Sequence, residues 1–201
     1  YRAEARFLRA LSYYHAMDMF GNVPFVDENT VIGSSDVPQI SRSDLFDWIE
    51  SELLAIEDIL LEPSQVPYGR ASKAAAQSLL AKMYLNAEVY TGTSRWSECI
   101  AYCNEVIGDG TFYLDDDYSH LFMADNHNSP EFIFPVCFDG NFTQTWGGAT
   151  FLINAAIGST MDPADYGSSG GWNGLRATPT FVNTFSDSTL DSRWKFHTSG
   201  E

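Results

Sequence analysis

The sequence predicts a mostly α fold in which helical hairpins form a scaffold and an irregular, loop-rich region carrying short strands follows. Three observations carry this expectation. Apolar residues recur at helical spacing in four segments before Gly110. Glycine or proline punctuates the end of each segment. After Gly110 the helical period gives way to short β-prone runs and then to a long glycine-rich stretch.

The first helix reads from Tyr1 to Phe20. Ala3, Phe7, Ala10, Tyr14 and Met17 form one apolar stripe, and Arg2, Arg6 and Arg9 lie off it. Gly21 supplies a C-terminal cap and Pro24 prevents continuation. The second helix starts near Ser41, where Asp44 makes a capping pair, and presents Phe46, Ile49, Leu53, Ile56 and Leu60 before Pro63 ends it. The third runs from about Ser72 to Tyr90 through Ala76, Leu79, Met83 and Ala87, and Gly92 closes it. The fourth follows Ser94 with Trp96, Cys99, Cys103 and Val106 and ends at Gly108. The short link between the third and fourth helices makes them an antiparallel hairpin.

The first helix is echoed 71 residues later: Ala5 falls on Ala76, Leu8 on Leu79, Ala10 on Ala81, Tyr13 on Tyr84 and Gly21 on Gly92. That shift is about twice the tetratricopeptide period of about 34 residues, as two related hairpins in an array would produce. Likeness between two Ala-rich helices is the alternative. The expected organisation is a tetratricopeptide-like scaffold over residues 1–110 and a loop-rich ligand-binding region over 111–201, packed together as one domain. Within the second region Phe112-Tyr113-Leu114 and the run Glu131 to Phe138 read as short strands. From Asp139 to Leu175 there is no Lys, Arg or His, but eight of the fifteen glycines.

Composition narrows the function classes. With 44% apolar and 14% aromatic residues in 201, the chain holds enough material for a substantial core. Eleven basic residues against 27 acidic ones give a formal charge of −16, without the Lys/Arg clusters that nucleic acid requires. No apolar run reaches the length of about 18 residues needed to span a membrane as a helix. The chain starts inside a helical pattern without Met, signal peptide or lipid-attachment Cys, and stops at Gly200-Glu201 without punctuation, so it is read as an internal segment of a longer polypeptide. Cys99 and Cys103 share a helix face; these and Cys137 are read as small buried hydrophobes.

Catalytic and metal signals are weak. Asp115-Asp116-Asp117 lacks calcium-loop spacing and reads as a solvated turn or helix cap. His15, His120, His127 and His197 form no zinc motif. No nucleophile elbow, phosphate loop or dinucleotide fingerprint is present, and no cofactor is implied. Asp162 and Asp165 flank Pro163-Ala164 and are the one pair with the makings of a glycosidase, with no further support. The sequence Asn141-Phe142-Thr143 also matches the common glycosylation pattern.

The glycine-rich stretch holds Phe142, Trp146, Tyr166 and Trp172 among Asn141, Gln144, Asp165 and Asn173. Sugars present apolar C–H faces and a polar rim, so flat rings bury the faces while amides and carboxylates bond the hydroxyls. Trp146, Tyr166, Trp172, Phe142, Asn141 and Asn173 are the candidate ligand residues. The competing role for these rings is to anchor the loop to the helical body.

Five blocks in order then resemble a known family. They are Glu4 to Ala10 with Tyr13-Tyr14 and Phe20-Gly21-Asn22-Val23-Pro24-Phe25; Gly69 to Ala76 leading to Leu80-Ala81-Lys82-Met83-Tyr84-Leu85; Tyr118 to Phe122; Glu131 to Phe134; and Gly171 to Pro179 followed by Asp191-Ser192-Arg193. Together they resemble SusD-like (RagB/SusD) nutrient-binding lipoproteins of the outer membrane. The resemblance implies tetratricopeptide-like hairpins, an N-terminal lipid anchor absent from this segment, and a place on the extracellular face. It also implies glycan binding without cleavage, in polysaccharide utilisation, and delivery to a SusC-like TonB-dependent transporter. In the family's starch-binding member, part of the sugar site precedes this segment and the rest comes from loops near Asp139 to Trp172. Trp172 also belongs to a family block, which gives it a competing structural role. The other classes considered are a tetratricopeptide-type protein-interaction scaffold and a glycoside hydrolase.

Overall fold

A computed structural model describes residues 1–33, 36–185 and 189–199; Gly200 and Glu201 lie outside the described residues. The chain forms two compact units, Tyr1–Asp115 with His127–Pro135, and Asp116–Asn126 with Val136–Glu201. The first contains helices α1 (Arg2–Phe20), α2 (Arg42–Glu57), α3 (Lys73–Leu85), α4 (Ala87–Thr91) and α5 (Trp96–Asp109). Strands β1 (Val23–Pro24) and β2 (Gln39–Ile40) pair antiparallel between α1 and α2. The second contains α6 (Gly148–Ala156) and α7 (Pro179–Val182).

The core of the first unit is the one the helical stripes dictate. Ala3, Phe7, Ala10, Tyr14 and Met17 are the buried residues of α1. Ser41 caps α2: its Oγ accepts from Asp44 N at 3.1 Å and donates to Asp44 Oδ2 at 2.6 Å. Phe46, Ile49, Leu53 and Ile56 are buried as expected, joined by Leu45. In α3 nearly every side is buried because the helix has neighbours in both α2 and α5. That explains its run of alanines, since small side chains let flanking helices approach. The echo of α1 in α3 extends to burial only in part, at Ala10 and Ala81. Ala5 and Leu8 are exposed, whereas Ala76 and Leu79 lie in the core.

Five local expectations need correction. First, α2 stops at Glu57, well before Pro63. The Ile56 carbonyl accepts the N–H groups of Ile59 at 2.9 Å and Leu60 at 3.0 Å, and this turn returns Leu60 to the core. Second, the helix expected from Ser72 to Tyr90 is two helices, broken at Asn86 with φ −103° and ψ 11°. Third, α5 runs past Gly108 to Asp109, because Gly110, at φ 75°, supplies the left-handed cap.

Fourth, Phe112–Leu114 and Glu131–Phe138 are not strands. Glu131 Oε1 accepts the Asp115 N–H at 2.9 Å, and Phe134 stands edge-on to Phe7 with centroids 5.0 Å apart. The apolar run anchors to the helical core instead of pairing in a ladder, and Pro135 lacks the donor a ladder needs. Fifth, the cysteines are not buried: Cys99 is intermediate, and Cys103 and Cys137 are exposed, all as free thiols. No residue of α5 is fully buried.

Arg6 and Arg9, off the apolar stripe, tie α1 to α2. Arg6 donates to both oxygens of Glu52 at 2.8 and 3.0 Å, and Arg9 donates to Glu52 at 2.7 Å and Glu28 at 2.6 Å. Hydrogen bonding from Arg6, and then from Arg9, holds the Glu52 carboxyl below its ordinary 4.5 against the opposing effect of burial. A depressed carboxyl stabilises the fold above its unfolded pKa, and that contribution is lost as the pH falls below 4.5 and through the folded value. Glu52→Gln is expected to cost about 1–3 kcal/mol at neutral pH. The gap between wild type and variant should narrow as the pH falls below 4.5, measured by denaturant unfolding at neutral pH and through the acid range. A gap of constant size would separate this residue from the acid sensitivity.

Candidate functional site

The second unit carries the aromatic residues singled out above. The turn after Phe138 is organised by one carboxylate. Asp139 Oδ1 accepts the backbone N–H groups of Asn141 at 2.8 Å, Phe142 at 2.7 Å and Thr143 at 3.0 Å, while the Asp139 N–H donates to Thr143 Oγ1 at 2.9 Å. These backbone donors, with Thr143 foremost, hold the Asp139 carboxyl down to about 2. Beside this turn lies a cavity of about 490 Å³ lined by Phe138, Gly140, Thr143, Gln144, Thr145, Trp146 and Thr150. Gly148, at φ 56°, permits the Phe138 ring to close on the start of α6; a Cβ there would meet Phe138 Cζ at 2.9 Å.

The stretch from Asp139 to Leu175, expected to be irregular throughout, contains α6. This helix has no charged residue and no side-chain cap. The signal for it was the apolar run Phe151-Leu152-Ile153 continuing to Ile157. Its last carbonyls are taken up by the Trp172 segment. Trp172 N–H donates to Asn154 O at 2.7 Å, Asn173 N–H to Ile157 O at 3.0 Å, and Gly174 and Leu175 N–H to Ala155 O at 2.9 and 2.8 Å. Gly171 enters this contact so tightly that a Cβ would lie 2.7 Å from Ile157 Cγ2 and closer still to the Ile157 carbonyl oxygen. Asn154 also accepts from Ser168 Oγ at 2.8 Å through Oδ1, which ties down the turn that follows Tyr166.

Two of the six candidate residues are brought together. Trp146 and Trp172 have ring centroids 6.2 Å apart with planes inclined at 39°, and Phe151 of α6 lies 6.2 Å from Trp172. Trp146 is 82% exposed and Trp172 43%, so both rings offer surface to solvent. Phe142 projects from the Asp139 turn at 94% exposure, with Asn141 exposed beside it. Tyr166 ends the 3-10 turn Pro163–Tyr166 and is half exposed. Asn173 adopts φ 55°, a conformation asparagine tolerates, and its Oδ1 accepts from Arg176. Of the six, only Trp146 lines the cavity.

Phe138, Thr143, Thr145, Thr150, Phe151 and Asn154 were not among the candidates. Phe138 lay in a run read as a strand, and Phe151 and Asn154 lay in the unrecognised helix. Asp162, half of the carboxylate pair, caps its own turn by accepting the Ala164 N–H at 3.0 Å. Among the described residues no group of three or more His, Cys, Asp or Glu is placed to hold a metal ion. No described helix is long and apolar enough to cross a membrane.

Comparison with known proteins places these features in context. A SusD-like family model described as "Starch-binding associating with outer membrane" matches residues 1–85. The chain is 39% identical over 189 residues to the starch-binding protein SusD of Bacteroides thetaiotaomicron, covering 92% of this chain and 33% of that protein. Its structure is similar to that of a SusD superfamily protein from Parabacteroides distasonis, with a TM-score of 0.75 and 26% identity over 96% of this chain and 40% of that one. A SusD-like carbohydrate binding protein from Bacteroides fragilis is similar with a TM-score of 0.66 and 26% identity, over 83% of this chain and 30% of that one. The chain spans between 24% and 33% of the length of the curated relatives it matches.

Proposed function

Because the chain belongs to the SusD-like family, we propose that it forms part of a non-catalytic cell-surface protein that binds oligo- or polysaccharide and delivers it to a SusC-like TonB-dependent transporter. In this reading the protein sits at the outer membrane on its extracellular face, held by a lipid anchor. Residues 1–110 are the scaffold and residues 111–201 supply ligand contacts. The observation that carries the reading is the exposed Trp146–Trp172 pair beside a cavity lined by hydroxyl and amide side chains. Two adjoining rings present an apolar face to the C–H side of a sugar, and Thr143, Gln144 and Thr145 offer both donors and acceptors to its hydroxyls. Such a site binds through preformed surface and needs no acid/base pair.

Affinity electrophoresis of the whole protein through gels containing soluble starch, pullulan, laminarin or xyloglucan tests this. Wild type is expected to be retarded by at least one of them, and Trp146→Ala to lose about tenfold or more in affinity for it. Unchanged retardation of the variant would remove Trp146 from the site. Release of reducing sugar by the purified protein would overturn the non-catalytic reading. A second reading, protein contact through the helical unit, is favoured by Trp96, Ile100 and Ile107, which recur at helical spacing and are exposed on α5. It predicts no retardation by any polysaccharide.

A further inference from the structure

The charge pattern around the Trp146 cavity narrows the class of glycan. The seven lining residues are all uncharged. No Lys, Arg or His occurs from Asp139 to Leu175. The fixed charge nearest in sequence is Asp139, between the lining residues Phe138 and Gly140. Its Oδ1 sits 3.0 Å from the backbone nitrogen of a third, Thr143.

Resting on the glycan-binding reading, we propose that this site selects uncharged glycans, with Asp139 as the residue that turns away uronic-acid and sulfated chains. A uronate or sulfate entering the cavity would shed water without meeting a cation on any lining residue, and would do so beside a like charge. Neutral hydroxyls meet no such penalty, because threonine hydroxyls and a glutamine amide serve them equally as donor or acceptor. The three backbone N–H groups on Asp139 keep it ionised through the neutral range, so the repulsion is built into the same carboxylate that shapes the turn. Its exposure leaves the effect open to screening by salt.

The test uses matched polymers. Each neutral polysaccharide that retards the whole protein is compared with its carboxymethyl derivative and with its hydroxyethyl derivative, which adds similar bulk without charge. At low ionic strength the carboxymethyl polymer is expected to bind about tenfold more weakly than the hydroxyethyl one, and the ratio to shrink in 1 M salt, where the screening length is about 3 Å. Asp139→Asn keeps the Oδ1 acceptor and should reduce that ratio. Gln144→Lys, which places a cation in the lining, should raise affinity for the carboxymethyl polymer several-fold. Equal loss with both derivatives, equal or tighter binding of the carboxymethyl polymer, or a ratio that neither variant changes would overturn the selectivity and leave glycan binding intact. Failure to bind any polymer, neutral or charged, would instead overturn the underlying reading.

Discussion

Phe46→Ala should destabilise the helical unit by about 3–5 kcal/mol, enough to lower its thermal midpoint by about 10–20 °C. Phe46 is 1% exposed and sits where α2 meets the later helices, with ring centroids 6.4 Å from Tyr84 and 6.2 Å from Tyr90. Both tyrosines are fixed at their far ends, Tyr84 donating to Glu50 and Tyr90 to Asp18, each at 2.6 Å. Burial, followed by these carboxylate contacts, raises both phenol pKa values well above 10, so the hydroxyls remain donors throughout the neutral range. Rings pinned in this way have little freedom to collapse into the space a lost phenyl leaves, which places the cost toward the upper part of the range for such truncations. Leu54→Ala, on the same helix but 46% exposed, should cost less than about 1 kcal/mol. Denaturant unfolding followed by circular dichroism distinguishes the two, and similar losses in both would contradict the placement of Phe46 in the core.

The second large effect falls on a residue without a side chain. Gly171→Ala should weaken the attachment of the Trp172 segment by about 2–3 kcal/mol and lower polysaccharide retardation to the level of Trp172→Ala. The added methyl meets Ile157, the residue whose carbonyl accepts the Asn173 N–H, so relief of the clash pulls the segment off the end of α6. Gly170 is the internal control. It has nothing within 4 Å of a would-be Cβ, and Gly170→Ala should leave both unfolding and retardation near wild type. If the two alanine variants behave alike, the close approach at Gly171 does not hold the segment in place.

The helical unit was legible in the sequence because its signals are local. All five residues of the Ala3–Met17 stripe are buried, and the Ser41–Asp44 pair caps the helix it was expected to cap. Its helix boundaries were less legible, because competing glycines or an asparagine decide which residue bends the chain. Gly110 takes the left-handed turn two residues beyond Gly108, where the helix was expected to end, and Asn86 divides what periodicity reads as one helix. The ring-bearing unit was less legible. Helix α6 lacks caps and charges, and a helical period is hard to recognise in nine residues. Sugar chemistry picked out Trp146 and Trp172, which do approach one another. Their spacing depends on tertiary hydrogen bonds from residues 172–175 to α6, which no local pattern announces. Asn154, which serves both the Trp172 segment and the turn after Tyr166, looked like an ordinary polar residue for the same reason.

Those hydrogen bonds run from main chain to main chain, so they are indifferent to which side chain occupies position 172. The geometry that holds a ring in place is thereby separable from the ring itself. Replacing Trp172 by tyrosine, histidine or leucine is expected to change what the surface recognises while the mounting survives. Gly171 lacks that freedom, because the mounting closes on its missing side chain. The mounting therefore constrains position 171 directly, and leaves residue 172 to be fixed by what its ring touches.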